Sequence, residues 1–233
     1  MIVAIDGPAG AGKSTIARRI AARLGAVYID TGAMYRAVAL LALRSNTDLA
    51  DAARLEELAR AADIRFEAGS ARTLLHGEDV SEAIRKPEVS PAASKVSAIP
   101  GVRRALVEKQ RRMGAAASVV MEGRDIGTVV FPNAEVKIFL DADPEVRATR
   151  RLRELQEKGT APPAAEVARE IRERDHRDST RADSPLVPAT DAIRLDTTAL
   201  SLDQVEQVIL EVIESRQPSA ISHRERREPP ADS

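Results

Sequence analysis

Gly7-Pro8-Ala9-Gly10-Ala11-Gly12-Lys13-Ser14-Thr15 decides how this chain folds. It begins just after a short apolar run, Ile2-Val3-Ala4-Ile5. It opens a segment in which Ile16, Ala17, Ile20, Ala21 and Leu24 recur at helical spacing. Gly-x-x-x-x-Gly-Lys-Ser/Thr between a strand and a helix marks a phosphate-binding loop. Its backbone N–H groups point inward and, with the positive end of the helix dipole, hold the phosphates of a nucleotide. In such a loop Lys13 bridges the β- and γ-phosphates and the Ser14 hydroxyl ligates Mg²⁺. A plain glycine-rich turn would not require both end glycines, the Lys-Ser pair and the strand–loop–helix frame together. The expectation is a nucleoside triphosphate site, for ATP with Mg²⁺, built from Gly7 through Thr15.

Beyond the loop, strand and helix patterns alternate. Gly25 closes the first helix, Val27-Tyr28-Ile29 reads as a second strand, and Met34 to Leu43 as a buried helix. An amphipathic helix is expected over roughly Leu49 to Ala62. From Asp63 to Val80 the pattern changes to two β-like runs, Ile64-Arg65-Phe66 and Thr73-Leu74-Leu75. Ala68-Gly69-Ser70 and Gly77-Glu78-Asp79 are expected as turns. Pro87, Pro91 and Pro100 punctuate the next stretch, and Pro100 suits the first turn of a helix to Met113. Ser118-Val119-Val120-Met121, Val136 to Leu140 and Ile193-Arg194-Leu195 read as further strands. Asp143-Pro144 starts a helix to Lys158 that stops at Gly159. Ala161-Pro162-Pro163 precedes another helix to about Asp178, and Ser201 with Gln204 caps a last one to about Ser215. Alternation of this kind predicts an α/β fold with a parallel sheet and helices on both faces. Residues 217–233 lack periodicity and are expected to be disordered.

Bulk properties narrow the classes. The 233 residues are 43% hydrophobic and 30% charged, ordinary for a globular protein, and no run approaches the ~18 apolar residues of a membrane span. No signal peptide is evident, and a cytoplasmic location is expected. The chain has no cysteine, which excludes disulfides, thiolate metal sites and cysteine nucleophiles. A net charge of −1 and only five aromatic residues argue against a nucleic-acid partner. No Asn-Lys-x-Asp guanine-reading motif and no Asp-x-x-Gly phosphate sensor occur, so a switch GTPase is not expected.

Arginines then choose the chemistry. Arg36 comes after a strand end and the Thr31-Gly32 turn. Arg124, beside Asp125, comes after the Val119-Val120-Met121 strand. Both stand at carboxyl ends of strands, where ligands bind in an α/β sheet. Glu145 to Arg181 holds nine arginines among eight acidic residues, mostly a solvated face. Its last part, Arg174-Asp175-His176-Arg177-Asp178-Ser179-Thr180-Arg181, reads as an arginine-bearing lid beside a hinge.

Five blocks in order resemble the bacterial-type cytidylate kinases, nucleoside monophosphate kinases with the P-loop NTPase three-layer α/β/α fold. They are Ile5 to Lys13, Asp30 to Arg36, Glu122 to Pro132, Arg174 to Asp178, and Ser184 to Pro188. The resemblance runs from Gly7 to about Ser215 and implies γ-phosphoryl transfer from ATP to CMP or dCMP. By position it assigns Arg36, Arg124 and Arg181, with Thr31, to the acceptor phosphate. Ser94, Arg103 and Asp125 are assigned to the cytosine edge and Asp178 to the sugar. Arg150, Arg174 and Arg177 are assigned as lid arginines near the ATP phosphates. It also implies one kinase domain over 1–216, with a nucleotide-binding insert at about 63–100 and a lid at about 147–182, acting as a monomer. Two positions depart from many members: Glu122 stands where an Asp is frequent, and Ser14 replaces a Gly seen in some. The acceptor phosphate is already anionic at neutral pH, so no general base is needed. His76, His176 and His223 accordingly read as surface residues. Other P-loop kinases of small molecules, and a nucleotide-dependent RNA-binding module, are the alternatives.

Overall fold

Burial of almost every side chain of the first apolar run makes it the central strand. In chain order the elements open with β1 (Ile2–Asp6), α1 (Lys13–Leu24), β2 (Val27–Asp30), α2 (Thr31–Arg44) and α3 (Ala52–Ala61). A small unit comes next: β3 (Ile64–Phe66), β4 (Thr73–Leu75), β5 (Glu78–Asp79) and α4 (Val89–Val96). Then come α5 (Pro100–Ala116), β6 (Val119–Gly123), β7 (Val136–Asp141), α6 (Pro144–Glu157), α7 (Ala164–Thr180), β8 (Ile193–Asp196) and α8 (Leu202–Arg216). The computed structural model describes residues 1–67, 72–157, 159 and 162–216.

Five strands form one parallel sheet in the order β2-β6-β1-β7-β8. Strand alternation sorts β1 between two layers. Val3 and Ile5 meet Ile16 and Ile20 of α1 and Val205, Ile209 and Ile213 of α8. Ala4 faces the other way, into a core with Met34 and Val38 of α2 and Leu106 of α5. Ile20 is fully buried, so Ile20→Ala would cost about 2–5 kcal/mol. The chain passes over β6 to reach β2 and later returns on the other side of β1 as β7. The loop after β1 therefore lies at the topological switch point, where ligands bind in open α/β sheets.

Caps fix the helix starts. The Asp30 carboxylate accepts from Ala33 N–H at 2.9 Å at the start of α2, and Asp143 accepts from Glu145 N–H at 2.8 Å at the start of α6. Ser201 and Gln204 exchange the reciprocal bonds of a capping box before α8, as their spacing predicts. Gly25 (φ 60°) ends α1.

Two local expectations need correcting, and two further features carry no sequence signal. Thr31 and Gly32 are not a turn before α2 but its first two residues. Glu78 and Asp79 are not a turn; they form the third strand of an antiparallel sheet, with His76-Gly77 making the turn instead. The proline-punctuated stretch contains α4, because Pro91 sits in its first turn, where the N–H has no intrahelical partner to lose. Ile126 to Val130 form a single π-helical turn, for which the sequence carries no pattern. The expected Ala68-Gly69-Ser70 turn, the Lys158 helix end, Ala161 of the proline break and the 217–233 tail lie outside the described residues.

Candidate active site

The loop after β1 has a shape that only its glycines permit. Gly7 leaves the strand at φ 147°, and a Cβ there would lie 2.0 Å from the Leu140 carbonyl oxygen. Gly10 has φ 77°, and its Cβ would come within 2.8 Å of the Arg147 carbonyl oxygen. The loop thus packs flush on the end of β7 and the start of α6. Lys13, first residue of α1, is buried and donates from Nζ to the Pro8 carbonyl at 2.6 Å, spanning the loop. Burial and then the nearby Arg124 push its pKa below the usual lysine range, against the pull of Glu122 and Asp6. Ser14 and Thr15 are exposed at the mouth.

Glu122 ends β6 beside this loop and is buried. Tyr28 O–H donates to its Oε1 at 2.5 Å. Burial and Asp30 raise the pKa of Glu122, while Lys13, the Ser14 hydroxyl and Tyr28 favour its charged form. A hydroxyl and a carboxylate at one spot are the oxygen donors Mg²⁺ takes when substrate phosphates complete its shell. Ser14 and Glu122 fit that ion. The sequence alone singles out neither Glu122 nor Tyr28 for the site; its one signal is that Glu122 departs from the frequent Asp.

On the other side of Gly7 is a cluster of arginines and aspartates. The pairing of Asp6 with Gly123 in the β1–β6 ladder places Gly7 next to Arg124. Arg124 Nε donates to Asp178 Oδ2 at 2.9 Å. Arg36 Nη2 donates to Asp30 Oδ2 at 2.7 Å. Burial raises the Asp30 pKa, but Arg36 and the Ala33 N–H outweigh it and hold the carboxyl below its usual range. Arg103, at the start of α5, is buried; its Nη2 donates to Asp125 Oδ2, its Nη1 to Ser97 O at 3.3 Å, and its guanidinium stands 5.6 Å from the Tyr35 ring centroid. Arg181 lies between two carboxylates, 3.9 Å from Asp125 and 3.9 Å from Asp178. Burial and Arg103 depress its pKa. Arg174, its side chain 42% exposed, stands 3.9 Å from Asp178.

Three donors of this cluster are buried with no hydrogen-bond partner among the described residues: Arg36 Nε, Arg103 Nε and Arg181 Nη2. Buried N–H groups are ordinarily satisfied, so three on neighbouring guanidiniums mark a place built for an anion or a polar ligand edge.

Asp6 supports the cluster from below. Its carboxylate accepts from Ile126 N–H at 2.9 Å and Gly127 N–H at 2.8 Å, fixing the π-helical turn after Arg124-Asp125. Burial pushes its pKa up to about 6.

Other sequence-based candidates fall elsewhere. The Thr31 hydroxyl is buried and donates to Glu122 O at 2.7 Å, tying the start of α2 to β6. Ser94 is half-buried on α4, and its carbonyl accepts from Ser97 Oγ at 2.9 Å, next to the Ser97 carbonyl that Arg103 holds. Arg150 turns to the loop after β8, donating to Thr197 Oγ1 at 3.0 Å and Thr197 O at 2.6 Å. Arg177 is exposed, 4.0 Å from Glu173. Neither Arg150 nor Arg177 joins the cluster, whereas Arg151 comes close enough to act on Arg174. Helical spacing alone cannot tell which arginine of a charged run faces inward.

A protein-family model described as cytidylate kinase matches residues 3–215. The chain belongs to the cytidylate kinase family. A cytidylate kinase of Solibacter usitatus is 61% identical over 218 residues, covering 93% of each chain. One from Pelotomaculum thermopropionicum is 53% identical over 211 residues, covering 89% of this chain and 93% of that one. Among solved structures, an uncharacterized protein from Eubacterium ventriosum shares the fold, with a TM-score of 0.50 at 12% identity over 92% of this chain and 99% of that chain. Family membership extends across both the loop and the arginine–aspartate cluster.

Proposed function

We propose that the chain transfers the γ-phosphoryl group of ATP to CMP or dCMP, giving ADP and CDP or dCDP. The observation that carries this reading is the Asp6–Gly123 register, which sets the phosphate-binding loop beside a cluster with three guanidinium donors that have no partner among the described residues. A triphosphate on the loop and a monophosphate on the arginines would meet end to end.

The acceptor phosphate oxygen is anionic near neutrality, since the second pKa of a phosphate monoester is ~6. Attack at the γ-phosphorus forms one P–O bond as the bond to the β-phosphate oxygen breaks. Catalysis then rests on alignment and charge neutralisation. Lys13 takes the donor phosphates; Arg36, Arg124 and Arg181 grip the acceptor phosphate; Arg174 stands between the two groups. Bound Mg²⁺ supplies further neutralisation of the donor phosphates, with Ser14 and Glu122 as its protein oxygens. Asp125 accepts from the exocyclic amine of cytosine and Arg103 donates to the ring edge, while uracil offers a carbonyl where the amine should be. Asp178 takes the sugar. The unit β3 to α4 forms the acceptor-side insert and α6 with α7 the lid of a single kinase domain. No helix among the described residues is long and apolar enough to cross a membrane. The proposal includes a cytoplasmic monomer without a stable nucleic-acid partner.

Incubation with γ-labelled ATP and CMP should move the label into CDP. Label appearing only as inorganic phosphate would overturn the reading.

A further inference from the structure

One arginine makes a set of contacts for which the phosphoryl transfer itself has no use. Arg147 lies on α6, in a run of alternating charges, yet its side chain is only 6% exposed. Its Nε donates to Ala142 O at 2.9 Å, at the turn between β7 and α6. Its Nη1 donates to Ala9 O in the phosphate-binding loop at 3.2 Å and pairs with Asp175 Oδ2 of α7 at 2.5 Å. Its own backbone is what Gly10 packs against. Asp175 Oδ1 is buried with no hydrogen-bond partner among the described residues.

We propose that Arg147 is a positioning residue that locks the Ala9–Gly10 peptide of the donor loop and couples its orientation to the helix α7 through Asp175. The peptide unit is planar and trans, so holding the Ala9 carbonyl toward Arg147 turns the Gly10 N–H to the opposite side. That side is the interior of the loop, where backbone N–H groups bind phosphate. Gly10, at φ 77°, has the conformational freedom to flip; Arg147 removes it. One guanidinium nitrogen serves both the loop and α7, which also carries Arg174, Asp178 and, one residue beyond its end, Arg181. Movement of α7 is thereby transmitted to the donor loop, and a correctly seated donor phosphate favours the α7 position that completes the acceptor cluster. Lysine cannot reproduce this, because an ammonium lacks the planar fork needed to reach Ala142 O, Ala9 O and Asp175 together.

The inference rests on the donor-loop role assigned to Gly7 through Thr15, and its test separates the two. The full chain is compared with Asp175→Asn, Arg147→Lys and the double variant, in KM for ATP, KM for CMP, kcat, and the Kd for ADP by equilibrium titration. Loss of one charge-assisted contact predicts a rise of about tenfold in KM for ATP and Kd for ADP in Asp175→Asn, with a smaller rise in KM for CMP at saturating ATP, because the coupling is reciprocal. Arg147→Lys should raise the ATP and ADP constants at least as far, and the double variant no further than Arg147→Lys. A merely structural defect would lower kcat through a smaller active fraction and leave those constants alone. If Arg147→Lys fails to fold, Asp175→Asn decides. Asp175→Asn with both donor constants unchanged overturns the inference, as does a double variant whose effect is the product of the two singles. Failure of the wild-type chain to turn over ATP with CMP at all would instead overturn the proposed function.

Discussion

The two halves of the candidate site are built in opposite ways. The donor half is nine consecutive residues whose working groups are mainly backbone N–H, shaped by glycines, with the Lys13 ammonium bonded to Pro8 O. The acceptor half is made of side chains from four separated places: the start of α2, the start of α5, the end of β6 and the end of α7. Its charges are cross-paired, Arg36 with Asp30, Arg103 with Asp125 and Arg124 with Asp178, and still leave three buried donors without partners among the described residues. A backbone site can be pre-formed by one local loop. A side-chain site exists only when distant elements converge, so it is the half that movement of α7 can open or complete.

The largest expected effect tests the donor half. Lys13→Ala should lower kcat by about 10³-fold or more, judged from related phosphoryl transfers, with the melting transition preserved. Retained turnover would remove Lys13 from the chemistry. On the acceptor half, Arg124→Ala should lower kcat/KM for CMP by about 10²-fold or more while binding of ADP to the free enzyme changes little. Equal damage to both would mean that the halves are not separable. Asp125→Asn leaves the Arg103 guanidinium buried without its counter-charge. It should destabilise the fold by about 3 kcal/mol and narrow the preference for CMP over UMP by roughly tenfold, read by urea unfolding and by the ratio of kcat/KM values.

Asp6 lies beneath both halves and has a pH signature. Its carboxyl is pushed up to about 6 in the fold, against about 3.9 in the unfolded chain. The native state therefore holds the proton more tightly, and stability contributed below about pH 4 is lost as pH rises through about 6, by on the order of 3 kcal/mol. Asp6→Asn removes that decline, so the gap between variant and wild type should change across this window; parallel urea-unfolding profiles would contradict the assignment. The smallest expected effect is at Lys13. Its lowered pKa leaves part of the population neutral, and phosphates recharge it, so ADP binding at about pH 8 should take up a fraction of a proton. Calorimetry in buffers of different ionisation enthalpy reads this directly.

The same contrast explains what the sequence reveals. The donor loop, the five sheet strands and the caps at Asp143 and Ser201 are local, and short-range spacing suffices to find them. Arg36 and Arg124 with Asp125 are picked out by their places at strand ends, but Arg103, Asp178 and Arg181 are joined to them only through the resemblance, because no spacing rule brings residues 36 and 181 together. Tyr28 and Glu122 meet only because β2 pairs with β6. Arg147 is hidden for another reason: in so densely charged a helix, inward and outward arginines look alike. Arg150 shows the cost of that ambiguity, since its guanidinium is taken up by Thr197.

A loop that holds ATP should stand beside an acceptor site that reads cytosine. A coupled assay of ADP release across CMP, dCMP, UMP, AMP and GMP tests it most directly. CMP or dCMP should be the best acceptor and UMP a poor one. Equal rates with UMP and CMP, or turnover only with a purine monophosphate, would contradict the account.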